Sequence, residues 1–332
     1  MTTWVRKWIL TNQQVEQQSR LRIFTWHVHG SYLFYLSQGD YDIFIPVKDA
    51  KTEGYYGRGN TYPFGANVKE IPDSLVKQME FDLILFQTDE NYFIDQYSTL
   101  SDEQRNLPKI YLEHDPPWGH PTNTKHPVTD PAILLVHVTH FNRLMWDNHS
   151  LKTKVIEHGV LLPKFVPPAK INRGIVVINH LEERGRLLGA DLFHEARKYV
   201  PLDLIGMGAQ SAGVGEILHP DLPSFVAQYR FFFNPIRYTS LGLAVCEAMM
   251  MGLPIVGLAT TEMSVTIENG FSGFIDTNPE ELVRKMKYLL AHPREAEQMG
   301  ENARNYALER FSITRFTNEW KETFQEAIYS SM

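Results

Sequence analysis

Glu247 is the single charge in an otherwise apolar run, Leu243-Ala244-Val245-Cys246-Glu247-Ala248-Met249-Met250-Met251. The run follows Asn234-Pro235-Ile236-Arg237-Tyr238-Thr239-Ser240-Leu241-Gly242 and is closed by Gly252-Leu253-Pro254-Ile255-Val256. This order reads as strand, short glycine-bearing loop, helix and next strand, with Gly252 and Pro254 ending the helix. The first amides of a helix lack intrahelical acceptors and carry the positive end of its dipole, so they can hold a diphosphate. A carboxylate inside that helix can accept both hydroxyls of a ribose, much as an acidic residue does in dinucleotide-binding folds. A buried helix without a ligand would account for the apolar residues but not for Glu247 among them.

Histidines form the second group. His27, His29, His114 and His140 each follow a short apolar run, in Trp26-His27-Val28-His29-Gly30-Ser31, Glu113-His114-Asp115-Pro116-Pro117 and Thr139-His140. A neutral imidazole so placed can hydrogen-bond a substrate, and it can equally be a satisfied structural residue, the reading favoured for His140. His27 and His29 share a strand face as a metal pair would, yet no third ligand joins them at a telling spacing. Gly30-Ser31 reads instead as a glycine turn through which the first strand approaches a ligand. The stretch from Gly54 to Tyr62, with Tyr55, Tyr56 and Arg58, has the composition of an ordered loop over a ligand or of one that merely packs.

The runs that would position these groups are short and apolar, as buried parallel strands are: residues 22–25, 43–47, 82–86, 109–112, 133–138 and 154–157. In open parallel sheets the carboxyl ends of strands face the ligand crevice, and the polar clusters fall there. A proline-bearing stretch, 161–170, interrupts the pattern as a linker. Beyond it, strand-like runs at 174–178, 202–205, 230–233, 254–258 and 273–275 alternate with helical stretches including 240–251 and 279–291. The final stretch, 301–328, is helical with a break near Phe311-Ser312, where Ser312 can cap a new helix. The expected organisation is a doubly wound domain over 1–162, a linker over 163–170, a second doubly wound domain over 171–311 and a closing helix over 312–332.

Composition bounds the partners. A chain of 332 residues suits two domains, and a net charge of -7 argues against nucleic acid. Cys246 is the one cysteine, so a disulfide framework and a thiolate metal site are both unavailable, which suits a reducing compartment. No apolar run is long enough to span a bilayer or act as a signal peptide, so the expected location is the cytoplasm. Trp4 and Trp8 lie a helical turn apart beside Arg6 and Lys7. Packing of an N-terminal helix explains them more simply than a membrane-surface foothold, which stays open as a peripheral contact at the inner face of the membrane.

The segment 234–257 resembles the donor-site signature of the large retaining glycosyltransferase family of GT-B fold, the glycosyl transferases group 1. The family's Pro-Ser-x-x-Glu-Gly-x-Gly stretch leads to a second glutamate followed by Ala-Met-x-x-Gly-x-Pro-Val-Val, and Pro235, Gly242, Glu247, Ala248, Met249, Gly252, Pro254, Ile255 and Val256 stand in register with it. Val155-Ile156-Glu157-His158-Gly159-Val160, Ile267-Glu268-Asn269-Gly270-Phe271-Ser272-Gly273-Phe274 and Ala307-Leu308-Glu309-Arg310-Phe311-Ser312 are similar to the family's pre-linker strand, late glycine-rich turn and closing helix. The resemblance implies a GT-B architecture, two Rossmann-like domains facing a cleft with the C-terminal helix crossing back to the first.

The chain also departs from that pattern. Thr239 stands where the family has its first glutamate, and a hydroxyl can hydrogen-bond without carrying charge. The diphosphate clamp appears as Asn179-His180-Leu181-Glu182-Glu183-Arg184-Gly185-Arg186, with Arg184 matching the family's lysine, Arg186 a close rival and His180 in place of arginine. The late Gly-Gly-x-x-Glu falls on Thr261-Glu262-Met263-Ser264-Val265, where Val265 cannot bind a sugar as glutamate does. Asp40-Tyr41-Asp42 is similar to the Asp-x-Asp metal motif of the other glycosyltransferase fold, and a turn into a strand explains it equally well.

By resemblance, the expected reaction moves a hexose from a UDP-, GDP- or ADP-sugar to a hydroxyl acceptor of unspecified class, retaining configuration without a metal or other cofactor. His114 and Arg184 would be catalytic. Gly30, His180, Arg184, Arg186, Thr239, Ser240, Leu241, Gly242, Leu243 and Glu247 would bind the donor, and His27, His29 and Asp115 would lie on the acceptor side. The base would be held around 206–208 and 216–218. The competing expectation is a non-catalytic binding or scaffold subunit on the same fold.

Overall fold

The computed structural model describes residues 20–163 and 166–330. The first sheet has seven parallel strands: β1 (Arg22–Thr25), β2 (Asp42–Val47), β3 (Val68–Pro72), β4 (Leu83–Phe86), β5 (Lys109–Glu113), β6 (Leu134–His137) and β7 (Thr153–Val155), in the order β3-β2-β1-β4-β5-β6-β7. Every residue of β4 and β6 is buried, because helices cover both faces of such a sheet and leave its strands no polar side. Strand β3, Val-Lys-Glu-Ile-Pro, is an addition to the expected set. It lies at the sheet edge with Lys69 and Glu70 exposed, so it lacks the apolar run that marks the inner strands.

The second sheet is formed by β8 (Ile171–Val177), β9 (Leu202–Ile205), β10 (Tyr229–Asn234), β11 (Ile255–Leu258) and β12 (Gly273–Asp276), all parallel, in the order β12-β11-β10-β8-β9. Strand order reverses between β1 and β4 in the first sheet and between β8 and β10 in the second. Crevices open outside the carboxyl ends of strands at such reversals, because the connections depart to opposite faces. Both expected doubly wound domains are therefore present.

Six helices matter to the site and its frame: α1 (Gly30–Leu36), α2 (His140–Met145), α3 (Leu243–Met250), α4 (Pro279–Ala291), α5 (Pro293–Arg310) and α6 (Ile313–Tyr329). Gly252 ends α3 at φ 80, with its amide bonded to the Met249 carbonyl and that of Leu253 to Ala248. The break between α5 and α6 falls at Phe311-Ser312, but Ser312 makes no side-chain capping bond. Backbone contacts hold the corner instead: the Val160 amide donates to the Phe311 carbonyl at 3.0 Å, and Val160 and Ser312 form an isolated bridge.

Helix α6 crosses back onto the first domain. Trp320 Nε1 donates to Tyr32 Oη at 3.0 Å, and Phe316 and Phe324 are buried, each contributing about 2 kcal/mol of apolar burial. Lys321 pairs with Asp40 at 3.2 Å and Lys152 with Glu326 at 2.6 Å. Trp4, Trp8 and linker residues 164–165 lie outside the described residues. No helix among the described residues is long and apolar enough to cross a membrane.

Candidate functional site

Loops from both strand-order reversals enclose one cavity of about 330 Å³ between the domains. His27, Gly30, Ser31, Tyr56, Arg58 and Tyr62 line it from the first domain, and Gly206, Met207, Glu216, Ile217, Leu243 and Glu247 from the second. The aromatic stretch 54–62 is thus an ordered cover: Tyr55 donates to Asp95 at 2.8 Å, the Arg58 amide to Glu70 at 2.7 Å, and Tyr56 packs on the His27 ring at 4.7 Å.

Helix α3 opens onto this cavity through Leu243 and Ala244. Gly242 is its N-cap at φ -68, a backbone any residue can adopt, and a Cβ built there meets nothing within 4 Å. Neither conformation nor packing demands glycine here; its absent side chain leaves space before amides that no side chain caps. Thr239 and Ser240 are half-buried in the preceding loop and Leu241 is buried. Buried His158, reaching across from the first domain, donates from Nε2 to the Leu241 carbonyl at 2.7 Å and fixes that loop. Burial lowers its pKa to about 4, so the ring is neutral at pH 7.

Glu247 is 14% exposed. Tyr35 Oη, from α1, donates to its Oε1 at 2.7 Å, and His219 Nε2 lies 3.6 Å from the same oxygen. The two candidate arginines differ. Arg186 and Arg237 both pair with Asp191, Arg186 at 2.7 Å, whereas Arg184 makes no ion pair among the described residues and its charge acts on Asp115 across the cleft. Arg186 thus has a carboxylate partner at the surface, and Arg184 has none among the described residues. His180 adopts a left-handed backbone at φ 55 and lies 3.2 Å from Glu183.

On the first domain, His27 donates from Nδ1 to the Gly57 carbonyl at 2.5 Å. Burial lowers its pKa against that bond, and its Nε2 faces Gly30. A Cβ on Gly30 would come within 3.0 Å of that nitrogen and 2.6 Å of the Tyr62 ring, so here glycine is required by close approach. The rings of His29 and His114 pack with their centroids 3.8 Å apart and their planes tilted by 35°. Burial lowers His29 to about 4 and pushes His114 well below the usual range, with His29 and His158 adding to the latter.

Gln87 fixes the tautomer of His114. Its amide nitrogen donates to Thr25 Oγ1 and the Trp26 carbonyl, both at 3.0 Å, so its oxygen faces His114 Nε2 at 3.2 Å. The imidazole must donate from Nε2, which leaves Nδ1 as an acceptor. Next to it, Asp115 makes no side-chain hydrogen bond among the described residues. Burial, then Glu113, raises its pKa to about 6 against the pull of Arg184.

Other candidates separate from this centre. His140 is exposed at the start of α2, and Asp40 and Asp42 pair with Lys321, Arg20 and Lys69, which accounts for the Asp-x-Asp spacing structurally. Val265 is 65% exposed. No group of three or more His, Cys, Asp or Glu arranged to hold a metal occurs among the described residues. The cleft is bridged beside Thr239, where Tyr238 Oη donates to the Pro117 carbonyl at 3.2 Å, and again at Glu262, which accepts from the Phe141 amide and from Arg310, each at 3.0 Å.

Tyr35, His219, Gln87 and Glu262 were not singled out by sequence reasoning. Gln87 follows a strand end, the signal that marked the histidines, and would have been found by the same rule. Tyr35 sits among apolar neighbours on a buried helix and carries no such signal.

Residues 206–306 match the family model described as Glycosyl transferases group 1. A trehalose synthase of Pyrococcus horikoshii is 38% identical over 74 residues, 22% of this chain and 18% of that protein. An alpha-D-kanosaminyltransferase of Streptomyces kanamyceticus is 25% identical over 114 residues, 34% of this chain and 30% of that one. The chain thus spans less than a third of the length of these curated relatives. Among solved structures, sucrose-phosphate synthase from Thermosynechococcus elongatus superposes with a TM-score of 0.69 at 15% identity, over 94% of this chain and 100% of that one. HepE of Anabaena in complex with UDP-glucose gives 0.66 at 14%, over 92% and 99%. The architecture is GT-B.

Proposed function

We propose that the protein is a glycosyltransferase that moves a hexose from a nucleotide diphosphate sugar to a hydroxyl acceptor with retention of configuration and without a metal ion. The observation that carries this reading is that Glu247 and the open N-terminus of its own helix line one interdomain cavity. The nucleoside would lie against Gly206, Met207, Glu216 and Ile217, with its ribose on Glu247. The diphosphate would meet the first α3 amides, just past Gly242, and Arg184, which makes no ion pair among the described residues.

The sugar would then point toward His114 and Asp115, where the acceptor enters from the first domain. The bond from the anomeric carbon to the diphosphate breaks, the acceptor oxygen bonds on the same face, and its proton passes to the departing phosphate oxygen. Amides and Arg184 stabilise the charge on that phosphate. Nδ1 of neutral His114 can accept a hydrogen bond from a sugar hydroxyl. UDP-sugars are the first donors to test, since HepE of Anabaena was solved with UDP and with UDP-glucose.

A second reading, a nucleotide-sugar-binding subunit without catalysis, is favoured by Thr239 and the exposed Val265, which leave two positions without a carboxylate. The deciding experiment is donor hydrolysis and transfer over UDP-, GDP- and ADP-sugars, with thermal shift against the free nucleotides and NMR of the product anomer. Turnover abolished by Glu247→Ala supports the enzyme; nucleotide binding without turnover supports the subunit. No binding by any nucleotide and no effect of Glu247→Ala would remove both readings.

A further inference from the structure

The carboxylate assigned to the ribose is already engaged on one side. Tyr35 Oη donates to Glu247 Oε1 at 2.7 Å, and His219 Nε2 lies 3.3 Å from Tyr35 Oη. Since the hydroxyl hydrogen is used on Glu247, the Tyr35 oxygen can accept from His219, giving a relay of two hydrogen bonds. Oε2 of Glu247 makes no hydrogen bond among the described residues, and Glu247 lines the cavity. The relay joins separate bodies: Tyr35 belongs to α1 of the first domain, while Glu247 and His219 belong to the second. The His219 ring is seated against Phe34 at 4.9 Å and Tyr62 at 5.0 Å, both first-domain residues. Burial, then the Glu247 charge, keeps the Tyr35 hydroxyl protonated, so toward Glu247 it acts as a donor.

Resting on the donor reading above, we propose that Tyr35 is a positioning residue for the nucleotide's ribose. By bonding Oε1 when the domains are closed, it turns Oε2 of Glu247 toward the ribose hydroxyls and couples nucleotide affinity to cleft closure. Without that bond the carboxylate is free to rotate about its last, broad torsion.

The test compares UDP with 2′,3′-dideoxy-UDP by titration calorimetry on wild type, Tyr35→Phe, Glu247→Gln and the double variant. Tyr35→Phe keeps the ring that packs beside His219 and removes only the hydroxyl. The expected result is about a tenfold loss of UDP affinity in Tyr35→Phe, the size of one hydrogen bond to a charged group, with less than twofold change for the dideoxy nucleotide. On the Glu247→Gln background, Tyr35→Phe should add less than twofold. Equal losses for both nucleotides would show a merely structural role, and an unchanged UDP affinity would remove any role; either outcome overturns the proposal. Wild type that binds both nucleotides equally would instead overturn the assignment of Glu247 to the ribose, and this inference with it.

Discussion

Gly242→Asp separates binding from folding, because the structure gives the two effects opposite signs. The backbone at φ -68 accepts any residue, a Cβ there meets nothing within 4 Å, and α3 has no side-chain cap. Aspartate at this N-cap should add a few tenths of a kcal/mol over glycine from capping, and interaction with the helix dipole brings the total to about 0.5–1 kcal/mol. Apparent Tm should then rise roughly 1–4 °C for a domain of this size. The same carboxylate would occupy the place assigned to the diphosphate. At roughly 5 Å and an effective dielectric near 20, its repulsion of one phosphate charge is about 3 kcal/mol, or a loss on the order of 100-fold in UDP affinity. Scanning fluorimetry without ligand and calorimetric titration with UDP read the two effects, and Gly242→Ala, which adds no charge, should stay within a few fold of wild type. A Gly242→Asp protein that binds UDP within threefold of wild type refutes the placement of the diphosphate on α3.

Two further variants test the frame around that site. Asp115, raised from 3.8 to about 6, holds its proton more tightly folded than unfolded, so its contribution is fully present below pH 4 and is lost as pH rises through 6. The change is at most roughly 3 kcal/mol; Asp115→Asn cannot ionise and should remove this fall, seen as a Tm difference from wild type that grows between pH 4 and 7 and is absent if the carboxyl is solvated. Glu262→Ala leaves the Phe141 amide without its acceptor, while Arg310 keeps Glu157 as partner. The cost should be about 2–3 kcal/mol rather than that of a wholly orphaned buried charge, read as a drop of several degrees in Tm; a drop under 1 °C would show that this bridge contributes nothing to closure.

Much of the architecture was legible because buried parallel strands must be short and apolar. β1 and β9 match the expected limits and α4 matches its own, since proline and asparagine mark its start unambiguously. Strand β3 was not legible, because three of its five residues, Lys69, Glu70 and Pro72, are exposed and the run reads like a loop. Ser312 was placed correctly at a helix start, yet the expected capping bond is absent, because propensity names a position and not the backbone contact that fixes it.

Within the site, local order determined the loop, the glycine, the helix start and Glu247, which lie within a few residues of one another. Tertiary structure alone decided which groups are free. Arg184 and Arg186 are two positions apart and alike in chemistry, and only folding shows that Asp191 takes the latter. Likewise Tyr35 meets Glu247 across 212 positions of chain. The physical reason is that a residue's chemical capacity is written in its type, whereas its availability depends on the partners that distant segments bring to it.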